Sequence, residues 1–205
     1  MQIIEYKISD TNISWEDLAR LMRESFKERT EQGLLFACRD YSAEELKEVC
    51  NNSEGFIFVK KDELGNILGF IVLTIINNAG YTNYVVASPS SKNTGICSSI
   101  FEHVLKKSKE LNLDYISSST STKATSSVNW HLKMGFEKYD YQSSKHTNYY
   151  SCIFRYQLKD TNKLSYTIKR LLHFHFAKMF ITIMKTPNGT WRFPLLIKIF
   201  RKIKH

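Results

Sequence analysis

The chain has 205 residues, 42% of them apolar, and a net charge of +9 from 29 Lys and Arg against 20 Asp and Glu. That is enough for one domain of average size plus an appendage, with an ordinary apolar fraction for building a core. A uniformly basic nucleic-acid binder is excluded by the distribution of charge: residues 160–205 hold ten Lys and Arg against the single Asp160, and so carry the whole excess.

From the N-terminus, residues 3–8 (IIEYKI) read as a first strand. Ser14 followed by Asp17 is a helix-start pair, and Leu18, Leu21, Met22 and Phe26 then mark one apolar face as far as about Arg29. Ser42 with Glu45 repeats the pattern before Leu46 and Val49, predicting a second helix. Residues 55–76 form two β-branched and aromatic runs around Gly65-Asn66, the chemistry of a hairpin. Residues 81–88 (YTNYVVAS) are a further strand, stopped by Pro89. From Gly95 onward Ile96, Ile100, Phe101, Val104, Leu105 and Leu111 recur at three to four residues, which predicts an amphipathic helix.

Residues 113–119 (LDYISSS) are the next strand, and the intervening helix makes a right-handed parallel crossover the expected connection. A short helix over Val128–Met134 ends at Gly135, and residues 136–141 and 148–158 give a final strand pair. The fold class is therefore α+β, mixed: a mostly antiparallel central sheet with one parallel pair, flanking helices, and a basic helical appendage. A doubly wound sheet does not fit this order of elements.

Cys38, Cys50, Cys97 and Cys152 are scattered without a CxxC pair or His at zinc-ligand spacing, so no metal site and no disulfide framework is expected. The first ten residues lack a basic stretch followed by an apolar one, which predicts a cytoplasmic protein, and the Asn-x-Ser/Thr matches at Asn12, Asn51 and Asn188 are then chance. No uncharged apolar run approaches the roughly 20 residues that span a bilayer.

The stretch Lys92-Asn93-Thr94-Gly95-Ile96-Cys97-Ser98 joins a Pro-stopped strand to a helix N-terminus. Unpaired N–H groups and a partial positive charge gather there, so the loop is either an anion cradle or a simple turn. In its frame it resembles the acetyl-CoA loop of the GNAT family of N-acetyltransferases, Arg/Gln-x-x-Gly-x-Gly/Ala, with Lys92 at the basic position and Cys97 at the second small one. A second stretch, SVNWHLKMGFEKYDY, resembles the family's later motif through His131 and Gly135-Phe136, in the manner of the phosphinothricin-acetyltransferase branch. The Asn usual in that helix falls at Ala124, so that contact is either missing or replaced by Asn129. The resemblance covers about residues 1–158, and residues 159–205 form the tail.

It implies that acetyl-CoA lies between the strands at 81–88 and 113–119. Pantetheine would pair with the backbone of Val85, Val86 and Ala87 as an added strand, and the pyrophosphate would rest on N–H groups from Lys92 to Ser98. Cys97 is then a packing residue facing the cofactor. Acetyl transfer to an amine needs a proton acceptor, an oxyanion donor and a proton for the leaving thiolate. Backbone near Val86 or Ala87 would serve the oxyanion; His131, with Tyr139 and Tyr141 behind it, would stand near the thiolate, against the alternative that His131 only packs the short helix. No base is assigned: the strand at 81–88 has no carboxylate, and Glu31 reads equally as surface charge.

The segments at 25–46 and 148–158 resemble acetyltransferases of bacterial surface-polysaccharide pathways, which implies an amino-sugar acceptor carried on a nucleotide or a lipid. Tyr149, Tyr150, Trp130 and Phe36 could stack on it, or belong to the core. A non-catalytic module of the same fold and an acetyltransferase for protein N-termini or lysines remain the alternatives. In the tail, Ile168, Leu171, Leu172, Met179, Phe180, Ile183 and Met184 share a helical face, and residues 193–205 begin a second basic amphipathic segment. Residues 163–205 would lie in a membrane interface on the inner face of the cytoplasmic membrane, or dock on the domain or on a twin subunit as a homodimer; nucleic acid is the weakest partner.

Overall fold

The computed structural model describes residues 1–31, 33–34, 41–51, 54–159 and 163–194. Seven strands, β1 (Gln2–Lys7), β2 (Glu54–Lys61), β3 (Ile67–Ile76), β4 (Ala79–Ala87), β5 (Tyr115–Ser121), β6 (Glu137–Ser143) and β7 (Tyr150–Gln157), form one sheet in the order β1-β2-β3-β4-β5-β7-β6. All neighbours are antiparallel except β4 and β5. Five helices accompany them: α1 (Trp15–Glu31), α2 (Ala43–Asn51), α3 (Ile96–Glu110), α4 (Thr125–Lys133) and α5 (Lys163–Met184). The expected α+β fold with a single parallel pair is the one found.

Local chemistry sets the element ends. The Ser42 hydroxyl accepts from the Glu45 N–H at 3.1 Å while Glu45 reaches back to the Tyr41 N–H at 3.0 Å, starting α2. Ser14 donates its hydroxyl hydrogen to Asp17 at the start of α1.

The sheet is buried on both faces, which explains the near-continuous apolar runs of β2 and β3. Side chains alternate across the pleat, so Ile57, Val59, Phe70 and Val72 meet Leu18, Met22 and Leu46 of α1 and α2. Phe58, Ile71 and Leu73 turn the other way onto Ile96, Ile100, Phe101 and Val104 of α3. Gly69 on β3 permits this close fit: a Cβ there would lie 2.9 Å from the Ile96 side chain and 2.7 Å from the Val86 carbonyl.

The tail helix does not dock by its apolar stripe. Its more polar side docks on β6, where Arg170 lies 3.4 Å from Glu137, His173 lies 3.6 Å from Asp140, and Tyr166 and His173 stack on Tyr139. Phe174 completes the seam against Tyr141. Ile168, Leu171, Leu172, Met179, Phe180 and Ile183 are left exposed. The cause is the partner surface: β6 offers acids and tyrosine rings, which suit Arg and His better than leucine. Among the described residues, no helix is long and apolar enough to cross a membrane. The second basic segment lies outside the described residues from position 195 on.

Candidate active site

Along one edge β4 is paired with β3 from Ala79 to Ala87. Along the other it meets β5 only at Gly80, Tyr81 and Thr82, opposite Ile116, Ser117 and Ser118. β5 meanwhile stays on β7 as far as Ser121. The strands part after Thr82, and every second backbone N–H and C=O of β4 beyond that point faces an open edge. A cavity of about 470 Å³ occupies the parting, lined by Phe26, Arg29, Tyr41, Tyr81, Asn83, Tyr149 and the hydroxyl run Ser117–Ser121, among others. A second cavity of about 280 Å³ lies between α1 and the loop after β4, lined by Phe26, Glu28, Arg29, Val85, Lys92, Lys123 and residues 124–126.

The loop itself is short and bare. Pro89–Ser91 makes one 3₁₀ turn, Asn93 has φ 63° and Gly95 φ 84°, and α3 begins at Ile96 with no side-chain cap. The first helical backbone bond runs from the Ser99 N–H to the Gly95 carbonyl, so the N–H groups of Ile96, Cys97 and Ser98 have no partner of that kind ahead of them. An uncapped, left-handed entry beside an unpaired strand edge fits a pyrophosphate followed by an extended amide chain. Lys92 points at the same cavity but is held in an ion pair by Glu28 of α1, which lowers the Glu28 carboxyl below its ordinary value. Val85 lines this cavity, while Val86 and Ala87 continue the open edge. Thr94 closes the loop by donating to the Ser91 carbonyl at 2.7 Å.

His131 is buried within α4, its ring stacked on Phe154 with centroids 4.6 Å apart. Nδ1 lies 2.7 Å from the Ser127 carbonyl and Nε2 lies 2.8 Å from the Ser118 hydroxyl. Burial pushes its pKa down to about 4, an effect the Ser127 carbonyl opposes and the charge of Arg29 reinforces. The ring is therefore neutral at pH 7. A carbonyl accepts only from N–H, so Nδ1 carries the proton and Nε2 accepts from Ser118. Ser118 lines the larger cavity, so its remaining lone pairs turn that way, and the imidazole touches the cavity through this hydroxyl. Thr120 adds a buried oxygen in the same wall that has no hydrogen-bond partner among the described residues. Such an orphan calls for a polar ligand group.

Other expected residues fall elsewhere. Among the described residues no ring contact or hydrogen bond joins Tyr139 or Tyr141 to His131: Tyr139 packs on α5 beneath Arg155, whose guanidinium lies 3.6 Å from its ring, and Tyr141 stacks on Tyr150. A register shift at Tyr139 separates the two rings, Tyr139 lying under Arg155 and Tyr141 opposite Cys152, and α5 packs against both. Asn129 is exposed on α4 and lines neither cavity, whereas Ala124 lines the smaller one. Cys97 is half-buried, and burial raises its thiol to about 11, which leaves it protonated and unreactive at neutral pH. Glu31 is exposed beside Lys27 and lines neither cavity. Trp130 packs on Phe101 and donates to the Ser98 hydroxyl at 3.3 Å, and of the proposed stacking aromatics Tyr149 alone lines the larger cavity. Phe36 lies outside the described residues. Missed from sequence were Phe26 and Arg29, which read as ordinary positions of α1, and Ser118 and Thr120, which lie in a run of small hydroxyl residues that forms no motif of its own. The available signal was a strand of hydroxyls at the centre of a sheet whose other middle strands are apolar.

The family model for the acetyltransferase (GNAT) family matches residues 15–136, more than half of the chain, taking in the loop at 92–98 and the second stretch as far as Gly135-Phe136. The chain belongs to the GNAT acetyltransferase family. It is an acyltransferase with acetyl-CoA as donor, and its acceptor is an amine. No curated protein matches the sequence. Among solved structures, an aminoglycoside 6'-N-acetyltransferase complexed with coenzyme A superposes with a TM-score of 0.62 at 16% identity, covering 79% of this chain and 100% of that one. A GNAT acetyltransferase from Staphylococcus aureus Mu50 gives 0.58 at 21% identity over 77% and 99%. An IAA acetyltransferase from Bacillus cereus ATCC 14579 gives 0.57 at 13% over 77% and 100%. At these identities the likeness is one of fold.

Proposed function

We propose that this GNAT enzyme acetylates the amine of a small amino sugar, carried on a nucleotide or a lipid, in surface-glycan assembly. One observation carries the reading: the cavity at the parting of β4 and β5 is walled by hydroxyls and tyrosines, with volume for a sugar-sized acceptor. Acetyl-CoA supplies an activated acetyl group with a thiol as leaving group. The open β4 edge at Val85, Val86 and Ala87 would hold its pantetheine arm and offer N–H groups to the carbonyl oxygen; Lys92, Asn93, Thr94, Gly95, Ile96, Cys97 and Ser98 would cradle its phosphates. His131 acts through Ser118, whose hydroxyl it fixes as an acceptor toward the cavity. His131 is thus a positioning residue, and Ser118 a contact of the reacting groups.

An acetyl-transfer screen over nucleotide-linked amino sugars tests the assignment. Turnover with at least one of them is expected; turnover with peptides alone would replace it by the protein-acetyltransferase alternative, and failure to bind acetyl-CoA at millimolar concentration would leave a non-catalytic module.

A second reading concerns location. The exposed face of α5 presents Ile168, Leu172, Met179 and Ile183 to solvent on a tail that carries the chain's whole charge excess. That pairing suits an anionic membrane surface, to which each Lys or Arg adds about 1 kcal/mol. The proposed division at residue 158 makes the test direct: the full chain should co-sediment with anionic liposomes and a chain ending at residue 160 should not. A full chain that stays in solution as a dimer would assign the face to a twin subunit.

A further inference from the structure

Arg29 sits where the two cavities meet, since its side chain lines both. Its guanidinium lies 5.1 Å from the centroid of Phe26, which also lines both and fixes the planar group against one wall. Of the other cations on the smaller cavity, Lys92 pairs with Glu28. Arg29 has no ion pair among the described residues, and no Asp or Glu among them lines the larger cavity. Burial is the main cause holding it below its ordinary value, and its charge is felt by His131 behind Ser118. A cation that has lost water without gaining a carboxylate is a poor structural choice unless a ligand supplies the anion.

We propose that Arg29 is the anion-recognising residue of the acceptor cavity, and that the acceptor is an amine that also carries a carboxylate or phosphate. The proposal rests on the small-amine reading above and narrows it. Phosphates of the donor have the loop N–H groups, Lys92 and Lys123 in the smaller cavity, which leaves Arg29 for the acceptor. A positive charge on a cavity that no described Asp or Glu lines also favours the unprotonated form of a bound amine, the form that attacks a carbonyl. The same field repels a polycationic acceptor, whose second ammonium would find no described carboxylate in the wall. Arg is suited to the task because its fork meets two oxygens of one carboxylate or phosphate at once.

Titration calorimetry on the full chain saturated with CoA provides the test, with two matched pairs: glucosamine against glucosamine 6-phosphate, and phenethylamine against phenylalanine. The anionic member of at least one pair should bind about ten-fold or more tightly, as expected for a charge-assisted pair. Arg29→Gln should abolish that preference and Arg29→Lys keep part of it, while CoA affinity in both stays within about two-fold of the unaltered protein and so reports an intact fold. Equal binding within both pairs, or a preference that survives Arg29→Gln, overturns the proposal and leaves the small-amine reading standing. A fall in CoA affinity in Arg29→Gln with the preference unchanged overturns it by assigning Arg29 to a donor phosphate. If no member of either pair binds at millimolar concentration, both readings fall.

Discussion

Along its β3 edge β4 is paired over its full length and packed on both faces by apolar side chains, whereas along its β5 edge pairing ends at Thr82 and hydroxyls replace the aliphatics. The same strand thus serves as core on one side and presents an open edge to a hydroxyl-lined cavity on the other. Uncoupling two parallel strands exposes backbone groups that need partners, and a ligand with amides and phosphates can supply them. The site lies where the sheet stops satisfying itself.

Substitutions on the two edges should separate stability from function. Phe70→Ala, on the fully buried β3 side, should cost about 3–5 kcal/mol in urea denaturation and leave acetyl-CoA affinity unchanged in the folded fraction. Equal damage to affinity would mean that the two edges are not independent.

On the cleft side, His131 ties stability to pH. Its pKa falls from 6.5 to about 4 on folding, so between those values the unfolded chain binds a proton that the folded one does not. The contribution is fully present above pH 6.5 and is lost as the pH drops toward 4, by about 3 kcal/mol in all. Denaturation curves at pH 7 and pH 5 should differ accordingly, and His131→Phe should flatten the difference. In the same variant turnover should fall with little change in acetyl-CoA affinity; unchanged turnover would remove His131 from any role in the reaction.

Gly95→Val probes the loop. Its φ of 84° costs a β-branched residue about 1–2 kcal/mol, and since a Cβ there meets nothing within 4 Å, the loss would be conformational rather than steric. Acetyl-CoA affinity should drop alongside the melting temperature. The smallest stability effect is expected for Ser118→Ala, about 1 kcal/mol for the Nε2 acceptor left without its donor, together with a reduced kcat. A variant with normal kcat would confine Ser118 to packing.

Much of this was legible in the chain. The apolar faces of α1 and α3, the hairpin at Gly65-Asn66 and the crossover between β4 and β5 follow from periodicity and turn chemistry, which act over a few residues. The loop from Lys92 to Ser98 was legible for the same reason, because strand stop, Gly and helix start are consecutive. Arg29 was not: on a helix surface a charged residue looks solvated, and only the approach of β4, β5 and β7 encloses it. The contacts of Tyr139 and Tyr141 with α5 and Tyr150 were not legible either, because strand alternation says that a ring is sided, but not which neighbour takes that side.

By itself the sequence determined the order of elements, the one parallel pair, the bare loop ahead of α3 and the concentration of charge in the tail, because backbone preference, hydrophobic period and charge are properties of neighbouring residues. Only the tertiary structure decided which groups share the cavity. Arg29, Ser118, Thr120 and Tyr149 lie up to 120 positions apart in the chain. Their meeting depends on where β4 and β5 part and on how α1 lies across the gap, both outcomes of packing between distant segments. The same holds for α5, whose docking side was chosen by the acids and rings of β6 rather than by its own apolar stripe.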